Sequence, residues 1–315
     1  MTPQLSIVVP LYNEEAGFFA LVERLNTLMS NFEASIEVVF VNDGSNDATS
    51  SLMHQLALTD KRYQCIFLSR NFGHQFAITA GLSCVRATEG VMIIDGDLQD
   101  PPELLEKFYL NYKNGIDISY GVRLMRPDEG FFKQITSKYF YKIQARFSNI
   151  SIPSNSGDFC FMSKPALDVL NKMPEESRFI RGMRAWIGFK QAPVEFERQE
   201  RSAGETKYPF KKMLKFAMNG IFNFSETPIR FITYLGLGAT TISIFYLGYT
   251  LYKKFYLNEI VSSGFSGLLF AIILFSGVQL ISLGIIGEYV LRIFFQTKQR
   301  PLFIIKSRIV DGDLV

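Results

Sequence analysis

The sequence predicts an α/β fold in which a mostly parallel sheet carries helices on both faces. Short apolar runs rich in β-branched residues recur in the first part of the chain, and segments with helical spacing of apolar residues lie between them. This alternation favours parallel strands because each helix carries the chain back to the edge where the next strand starts. Ligands bind outside the carboxyl ends of such strands, so the polar residues that follow each strand are the candidates for a site.

The elements follow one another in chain order. The N-terminal run LSIVV has no basic segment before it and is interrupted at Pro10, so it predicts a strand rather than a signal peptide. The next segment places apolar residues at helical spacing, and the pattern then repeats. The predicted strands are 5–9, 36–41, 64–68, 91–95 and 117–123, and the predicted helices are 16–30, 47–58, 74–87 and 103–112.

Composition excludes some classes of protein. The net charge of +3 is too small to indicate nucleic-acid binding, and no nucleic acid partner is expected. The three cysteines, Cys65, Cys84 and Cys160, have neither CxxC nor Cys/His metal spacing. They predict reduced thiols that fill the core, not a disulfide framework or a zinc site.

Two long apolar segments, 231–252 and 265–287, contain no charged residue. Each is long enough to cross a hydrocarbon core of about 30 Å as a helix, so the sequence predicts a membrane hairpin of two helices. Basic residues concentrate outside the hairpin, which places both of its ends in the cytoplasm. Those residues are Lys211, Lys212, Lys215 and Arg230 before it and Arg292, Lys298, Arg300, Lys306 and Arg308 after it, against Lys253 and Lys254 in the loop.

Basic amphipathic helices are predicted at 130–150 and 208–224. Such helices suit a membrane surface, although the first of them is equally consistent with a helix packed on the sheet. The expected organisation is therefore a cytosolic α/β domain, an amphipathic juxtamembrane helix, two transmembrane helices and a cytosolic C-terminal tail. Their expected bounds are 1–207, 208–228, 229–292 and 293–315, respectively.

An acidic cluster follows the strand at 91–95. Asp95 and Asp97 flank a glycine there, and two carboxylates this close repel each other unless a cation lies between them. Hard oxygen ligands suit Mg²⁺ or Mn²⁺, and Gln99 adds a neutral oxygen, so a metal site that holds a diphosphate is one interpretation. The other is a solvated turn. We expect Asp100 to cap the helix that Pro101 and Pro102 open.

A second polar cluster lies where the first two strands end. Asp43 follows the strand at 36–41, where its carboxylate can accept a hydrogen bond from a base N–H or a ribose hydroxyl. Pro10, Tyr12 and Glu14 leave the first strand beside it. The alternative for Asp43 is an ordinary turn before a helix. Asn71, with its neighbour Arg70, is a further candidate for contact with the nucleotide, whereas His74 is expected to start a helix or to form a hydrogen bond rather than to bind a metal.

Taken together, the motifs VVPLYNEE, VNDGSND, LSRNFGHQFAITAGL and DGDLQDPPELL, in this order and spacing, resemble those of family 2 glycosyltransferases. The resemblance is to the polyprenyl-phosphate branch, which includes dolichol-phosphate mannose synthase. It extends through SGDF and ERQERSAGETKYPFKKM into the two apolar segments and so covers nearly the whole chain. The segments SRNFGHQFAITAGL and AGETKYPFKKMLKFAMNGIFNFS are most similar to bacterial bactoprenol (undecaprenyl-phosphate) glucosyltransferases of the GtrB type.

This resemblance implies a Rossmann-like GT-A fold and an assignment for each motif. It implies a nucleotide on Pro10, Tyr12, Glu14 and Asp43, a metal and diphosphate on Asp95, Asp97 and Gln99, and an acceptor phosphate on Arg123, Arg201 and Lys207. Asp158 is implied to be a base or a group that positions the sugar. Gly96 departs from the family, in which alanine is common at this position. Both residues are small, so the close approach of the diphosphate is expected to be kept.

The implied activity is an inverting transfer of a hexose from a nucleotide sugar to undecaprenyl phosphate on the cytoplasmic face of a bacterial inner membrane. UDP-glucose is the expected donor and a divalent metal the expected cofactor. Because the acceptor phosphate is already ionised at neutral pH, positioning is favoured over base catalysis for Asp158. A flippase and a later lipid-sugar-dependent glycosyltransferase are implied as partners. Small residues in the spans, Gly236, Gly238 and Ala239, permit a homo-oligomer.

Three other functions share some of these features. Transfer of a different sugar, of the mannose or aminoarabinose type, uses the same lipid carrier. A processive polysaccharide synthase shares the acidic motif, but the sequence around Trp186 reads RGMRAW and lacks the Q-x-x-R-W motif. A membrane-anchored sensor would bind the nucleotide sugar without turnover, and the cationic segment around Arg198, Arg201 and Lys207 would then have no anionic acceptor.

Overall fold

The computed structural model describes residues 2–124, 156–176, 178–197, 227–256 and 264–315. They fall into two compact units. The α/β unit lies within Met1–Ala145, Ile150–Lys215 and Arg300–Val315, and the helical unit lies within Arg146–Asn149 and Phe216–Gln299. The amphipathic helices predicted at 130–150 and 208–224, the domain limits at 207 and 228, and the candidate residues Arg201 and Lys207 lie outside the described residues.

The strands and helices predicted up to residue 123 are all present, with small shifts of their ends. The strand before Asp95 ends at Ile93, slightly earlier than predicted. The strands are β1 (Leu5–Leu11), β2 (Ile36–Asn42), β3 (Tyr63–Leu68), β4 (Gly90–Ile93), β5 (Ile118–Arg123), β6 (Ser156–Ser163), β7 (Gln191–Phe196), β8 (Ile305–Val310) and β9 (Asp313–Leu314). The helices are α1 (Phe18–Asn31), α2 (Thr49–Thr59), α3 (His74–Cys84), α4 (Leu105–Lys113), α5 (Lys164–Lys172), α6 (Ile180–Trp186), α7 (Thr227–Tyr256) and α8 (Phe265–Lys298).

The strands form a mixed sheet in the order β7-β5-β6-β4-β1-β2-β3-β8-β9. The four central strands, β4, β1, β2 and β3, are parallel as predicted. Outside them the sheet departs from the prediction of a mostly parallel arrangement, because β6 runs antiparallel to both β4 and β5, and β8 runs antiparallel to β3. The central strands are buried along their whole length, as expected where helices cover both faces.

The C-terminal segment returns to the α/β unit after α8. Residues 293–315, expected to be a tail, contain the end of α8 and then the strands β8 and β9. The side chain of Ile309 is fully buried in the core, and Arg308 donates hydrogen bonds to the Gln64 side chain and to the carbonyl oxygen of Cys84. The last strands are therefore an integral part of the sheet.

A buried carboxylate fixes this C-terminal hairpin further. Glu37 on β2 is 2% exposed and accepts hydrogen bonds from the Ser6 hydroxyl and from the backbone and side chain of Arg86. Arg86 also donates to Asp311 at 2.7 Å, between β8 and β9. Because a buried carboxylate is stable only when it is paired and hydrogen-bonded, this network holds β2 and the hairpin in one arrangement.

The helical unit consists of two long helices, of 30 residues in α7 and 34 in α8, which contact each other. By length and composition one described helical segment, Leu274–Lys298 in α8, is long and apolar enough to cross a membrane. In α7 the apolar stretch is shorter, Ile232–Tyr246. One of the two predicted spans thus has a matching segment, and the hairpin as a whole stays a prediction. Within α8, Glu288 pairs with Arg292 at 2.8 Å, one helical turn further along.

Candidate active site

The loops that follow β1 and β2 are hydrogen-bonded to each other at the carboxyl edge of the sheet. The backbone N–H of Asn13 donates to the Ser45 hydroxyl at 3.1 Å, and the N–H of Glu14 donates to the Thr49 hydroxyl at 2.9 Å. Pro10 is buried inside β1, in the part of the strand that extends beyond the pairing with β4, where its missing N–H costs no ladder hydrogen bond. Tyr12 projects from this edge and is 44% exposed.

Asp43 holds the loop that precedes α3. Its two carboxylate oxygens accept hydrogen bonds from the backbone N–H groups of Phe72 at 2.7 Å and Gly73 at 2.9 Å. Burial raises the pKa of Asp43, and these two hydrogen bonds only partly offset the rise. Gly44 has φ +69°, and a side chain there would meet the backbone of Arg70 and Asn71. The two loops are therefore in direct contact, and Asp43 has a structural role that the sequence did not indicate.

A polar cavity of about 570 Å³ opens beside these loops. Tyr12 and Asn71, both predicted to bind a nucleotide, line it together with Arg70. Two lining residues, Lys306 and Ser307, come from β8. The remaining lining residues are Asn42, Gly44, Ser45, Asn46, Ser50, His54, Phe67, Leu68 and Ser69.

The acidic cluster follows β4 as predicted. The turn is tight, with Leu98 at φ 57° and the backbone N–H of Gln99 donating to Asp97 at 3.2 Å. Gly96 packs against the Leu11 side chain, so an alanine at this position requires Leu11 to move. Burial raises the pKa of Asp95, and the negative charges of Asp158 and Asp97 raise it further, against the lowering effects of His74 and Arg123.

The crowding around Asp95 bears on the predicted metal. Among the described residues, no group of three or more His, Cys, Asp or Glu side chains forms a ready-made metal site. The negative charge of Asp97 nevertheless raises the pKa of Asp95, and a divalent cation relieves this kind of repulsion. The donor set fits Mg²⁺ or Mn²⁺ chemically, provided that the ligand itself completes the coordination.

Asp158, on β6, is the most strongly engaged carboxylate of the site. It is 7% exposed and accepts a hydrogen bond from the Gln75 side chain at 2.6 Å. Arg181 on α6 donates to both of its oxygens, at 3.3 and 3.4 Å, and to the carbonyl of Ser156. Burial alone would raise the pKa of Asp158, but Arg181 and His74 outweigh burial and hold it far below its ordinary value. The group is therefore a permanent anion.

His74 links the two acidic parts of the site. Its Nε2 atom lies 3.5 Å from Asp95 and 3.6 Å from Asp158. Burial lowers the pKa of His74, but the hydrogen bond to Asp158 and the charges of both carboxylates outweigh it and raise the pKa to about 9. The imidazole begins α3, as expected, and in addition carries a positive charge between two carboxylates at neutral pH.

Arg123, at the end of β5, faces the same cluster. Its guanidinium lies 3.4 Å from Asp100, which is 1% exposed, and beside Gly157. The expectation that Asp100 caps the following helix is wrong, because the short 3₁₀ turn Pro102–Leu104 that leads into α4 has no side-chain cap. Asp100 pairs with Arg123 instead. The prolines do open that turn, as predicted.

The structure thus brings together one part of the predicted site and leaves another part untested. Two groups of predicted residues lie at this edge of the sheet. The first group lies in or after β4, β5 and β6 and contains Asp95, Asp97, Gln99, Arg123 and Asp158. The second group follows β1, β2 and β3 and contains Tyr12, Glu14, Asp43 and Asn71. Sequence reasoning missed the partners of Asp158, namely Gln75 and Arg181, and the contribution of Lys306. His74 and Gln75 lie within a motif that was noticed, and Lys306 was counted only among the basic residues that follow the second apolar segment. Arg181 belongs to no recognised pattern.

A mixed sheet with acidic residues and a polar cavity at the carboxyl edge of its parallel strands agrees with the Rossmann-like GT-A fold that the sequence predicted. Residues 6–170 match the family model described as Glycosyl transferase family 2. The chain belongs to this family and is therefore a glycosyltransferase.

Relatives match the chain along almost its full length. The uncharacterized glycosyltransferase YkcC of Bacillus subtilis is 42% identical over 96% of this chain and 94% of its own. The prophage bactoprenol glucosyl transferase homolog of Escherichia coli K12 is 36% identical, over 96% of this chain and 98% of its own. The bactoprenol glucosyl transferase of Shigella phage SfX is 35% identical, over 97% and 99%.

The charge on His74 generates a prediction for the metal-free protein. Because the folded-state pKa of His74 is raised, its stabilising effect is complete below its ordinary pKa of about 6.5 and is lost as pH rises through about 9. Thermal unfolding in the presence of a chelator should therefore show a loss of stability across this window. In the His74→Gln variant this loss should be absent.

His54 provides the matched control, since it lies on α2 away from both carboxylates. The His54→Gln variant should keep the wild-type dependence of the unfolding midpoint on pH. An unchanged profile in His74→Gln would show that the imidazole is not charged between Asp95 and Asp158.

Proposed function

We propose that this glycosyltransferase transfers glucose from UDP-glucose to undecaprenyl phosphate, with inversion at the anomeric carbon. The observation that carries the proposal is the permanent anion Asp158, buried at the same sheet edge as the acidic pair Asp95 and Asp97. The names and full-length coverage of the bactoprenol glucosyl transferases support this choice of sugar and lipid carrier.

The proposed donor site uses both parts of the sheet edge. Tyr12, Glu14, Asp43 and Asn71 bind the nucleoside beside the cavity, with Pro10 shaping the strand that carries the first two. Asp95, Asp97 and Gln99 hold Mg²⁺ or Mn²⁺, which neutralises charge on the departing diphosphate. The repulsion that raises the pKa of Asp95 supports a cation at this position.

The proposed acceptor site supplies positive charge. A phosphate monoester has a second pKa near 6 and is largely a dianion at neutral pH, so it is a nucleophile without the help of a base. Its approach to a sugar diphosphate brings two anions together. Arg123, Arg201 and Lys207 are proposed to bind and align the acceptor, because charge-assisted hydrogen bonds from Arg and Lys both fix a phosphate and offset this repulsion.

Asp158 is proposed to position the sugar and to stabilise positive charge that develops at the anomeric carbon. A carboxylate whose pKa lies far below its ordinary value is a weak base, because it holds a proton poorly at neutral pH. Its hydrogen bonds from Gln75 and Arg181 fix its orientation, which suits electrostatic stabilisation.

The Asp158→Asn variant tests this role. Turnover should fall by roughly 100- to 1000-fold, the usual effect of removing one preorganised electrostatic group. The pH dependence of the residual activity should match that of the wild type, because no titrating base has been removed. Asp168→Asn, an exposed carboxylate on α5, is the control and should change neither quantity. Loss of the wild-type pH profile in Asp158→Asn would assign Asp158 as a base.

We propose a multi-pass arrangement in the bacterial inner membrane, and the pairing of the sheet supports it. Residues before the helical unit and residues after it, in β8, pair in a single sheet. Both must therefore lie on the same side of a membrane, so the chain crosses an even number of times. If α8 spans the membrane, a second crossing has to precede it, and α7 is 30 residues long. The positive-inside rule places the sheet in the cytoplasm.

Cysteine labelling tests this topology. Asn258→Cys, between α7 and α8, should react with a membrane-impermeant maleimide added to the outside of intact spheroplasts. Asp313→Cys, in β9, should react only after lysis, and the unsubstituted chain, with Cys84 half-buried and its other two thiols buried, supplies the background. Labelling of both variants only after lysis would contradict a hairpin.

Nucleotide release tests the reaction itself. The purified full-length protein should release UDP from UDP-glucose when undecaprenyl phosphate and Mn²⁺ or Mg²⁺ are present, and a chelator should abolish the release. GDP-mannose and other UDP-sugars form the comparison panel, and the preferred member identifies the sugar. Release of UDP that does not depend on the lipid phosphate would contradict the proposed acceptor, and binding of UDP-glucose without release would identify a sensor.

The proposed product is a lipid-linked glucose phosphate on the cytoplasmic face. A lipid-carried sugar is useful only after it crosses the membrane, so the proposal includes a flippase and a later glycosyltransferase that consumes the product. A homo-oligomer through the small residues Gly236, Gly238 and Ala239 is also part of the proposal, since small residues allow helices to approach closely.

A further inference from the structure

We propose that Lys306, on the C-terminal strand β8, binds the nucleoside end of the sugar donor. This inference rests on the proposed function, because it assigns one more residue to the same donor site. It concerns a part of the chain that follows the last apolar helix and that the sequence presented as a tail. Four observations lead to it: the fixed position of β8, a bulge at Lys306, the chemistry of the cavity and the place of the cavity in the sheet.

The position of β8 is fixed from several sides. Its pairing with β3 places Ile309 opposite Cys65 and Arg308 opposite Ile66. The Arg308 side chain is held by Gln64 and by the carbonyl of Cys84, and the backbone N–H of Ser69 donates to the carbonyl of Ile304 at 2.9 Å. The backbone of Lys306, which lies between these contacts, therefore has a fixed position beside the cavity.

Lys306 is the extra residue of a β-bulge. Phe67 pairs with Ser307, but the next residue of β3, Leu68, pairs with Ile305. Lys306 therefore has no partner of its own on β3. Bulges bend a strand locally and redirect a side chain, and they are common beside active sites. Here the bulge coincides with the place where β8 borders the cavity, and Lys306 is one of the lining residues.

The cavity has the chemistry of a site for a polar ligand with an aromatic ring and hydrogen-bond acceptors. Tyr12 provides an exposed aromatic ring, and amides and hydroxyls provide hydrogen-bonding groups. Arg70 and Lys306 provide positive charge, and none of the described residues that line the cavity carries a carboxylate. Arg70 is already engaged, with its guanidinium 4.1 Å from the centre of the Phe72 ring and a hydrogen bond to the carbonyl of Asn71.

Lys306 differs from Arg70 in this respect. Across the described part of the chain, its ammonium group has no hydrogen bond or ion pair, and the residue is exposed. An ammonium group is a donor only, so its partner on a ligand must be an acceptor. A nucleoside offers such acceptors in the carbonyl oxygens of its base and in its ribose oxygens.

The order of the strands indicates which part of the sugar donor lies near Lys306. Asp95 and Asp97 follow β4, whereas Lys306 lies on β8, and three strands separate β4 from β8. Four inter-strand spacings amount to about 19 Å. The metal and diphosphate proposed for Asp95 and Asp97 therefore lie at the far end of the site, and Lys306 acts on the nucleoside.

Equilibrium binding to the full-length protein in detergent tests the inference. UDP is titrated with Mn²⁺ present, and UMP is titrated in a chelator, into the wild type and into Lys306→Ala, Lys306→Arg and Lys107→Ala. The alanine variant at 306 should bind both nucleotides about tenfold more weakly, the effect expected for one hydrogen bond from a charged donor. The arginine variant should retain most of the affinity. Lys107, exposed on α4, is the matched control and should give wild-type values.

Kinetics provide a second readout. In Lys306→Ala the KM for the nucleotide sugar should rise by a similar factor, while kcat and the KM for the lipid phosphate stay unchanged, because the residue acts on the donor alone. The unfolding midpoint of the variant should equal that of the wild type, which separates loss of a ligand contact from damage to β8.

The outcomes are distinct. Unchanged binding of both nucleotides by Lys306→Ala, or a loss confined to UDP, overturns the inference and leaves the proposed function intact. A wild type that binds neither UDP nor UMP overturns both. An equal loss for UDP and UMP, rescued by arginine, supports a contact of Lys306 with the UMP part of the donor, at the nucleoside end, and not with the β-phosphate.

Discussion

Electrostatic repulsion among carboxylates at one edge of the sheet is the constraint on which the rest of the site depends. Asp95 and Asp97 follow β4, and Asp158 lies beside them on β6, where burial makes every uncompensated charge costly. The fold compensates them with His74 and Arg181, which lie on different helices. The geometry of the site follows from this need, because each cation must lie within a few ångströms of its carboxylate.

The negative charges of Asp158 and Asp95 are compensated to different extents, and this difference suggests different roles for the two carboxylates. Asp158 receives Arg181 and Gln75 and is held as an anion, whereas Asp95 has a raised pKa and lacks a comparable partner among the described residues. Two acidic groups with pKa values driven apart by their surroundings commonly have different tasks. The proposed mechanism uses the difference: the first group stabilises positive charge on the sugar, and the negative charge of the second would be compensated by a divalent metal that also binds the diphosphate.

The C-terminal segment returns to the α/β sheet after the two long helices. β8 follows α8 after a short connection and pairs with β3, the strand whose following loop carries Arg70 and Asn71. Arg308 and the network of Glu37 and Arg86 anchor β8 within the sheet. The proposed membrane crossing must therefore involve an even number of spans, because the residues before and after the helical unit pair in one sheet.

The sequence by itself determined the features that depend on local pattern. The parallel strands β1 to β4, the acidic residues after them and the apolar character of α7 and α8 are all visible as periodicity or composition over a few residues. Only the tertiary structure decided the antiparallel place of β6, the pairing of Asp100 with Arg123, the union of Asp158 with Gln75 and Arg181, and the insertion of β8. These features join segments that are far apart in the chain. The free energy that selects such a pairing comes from contact, burial and charge compensation between the two segments. Neither segment therefore carries a periodic pattern from which the pairing could be predicted.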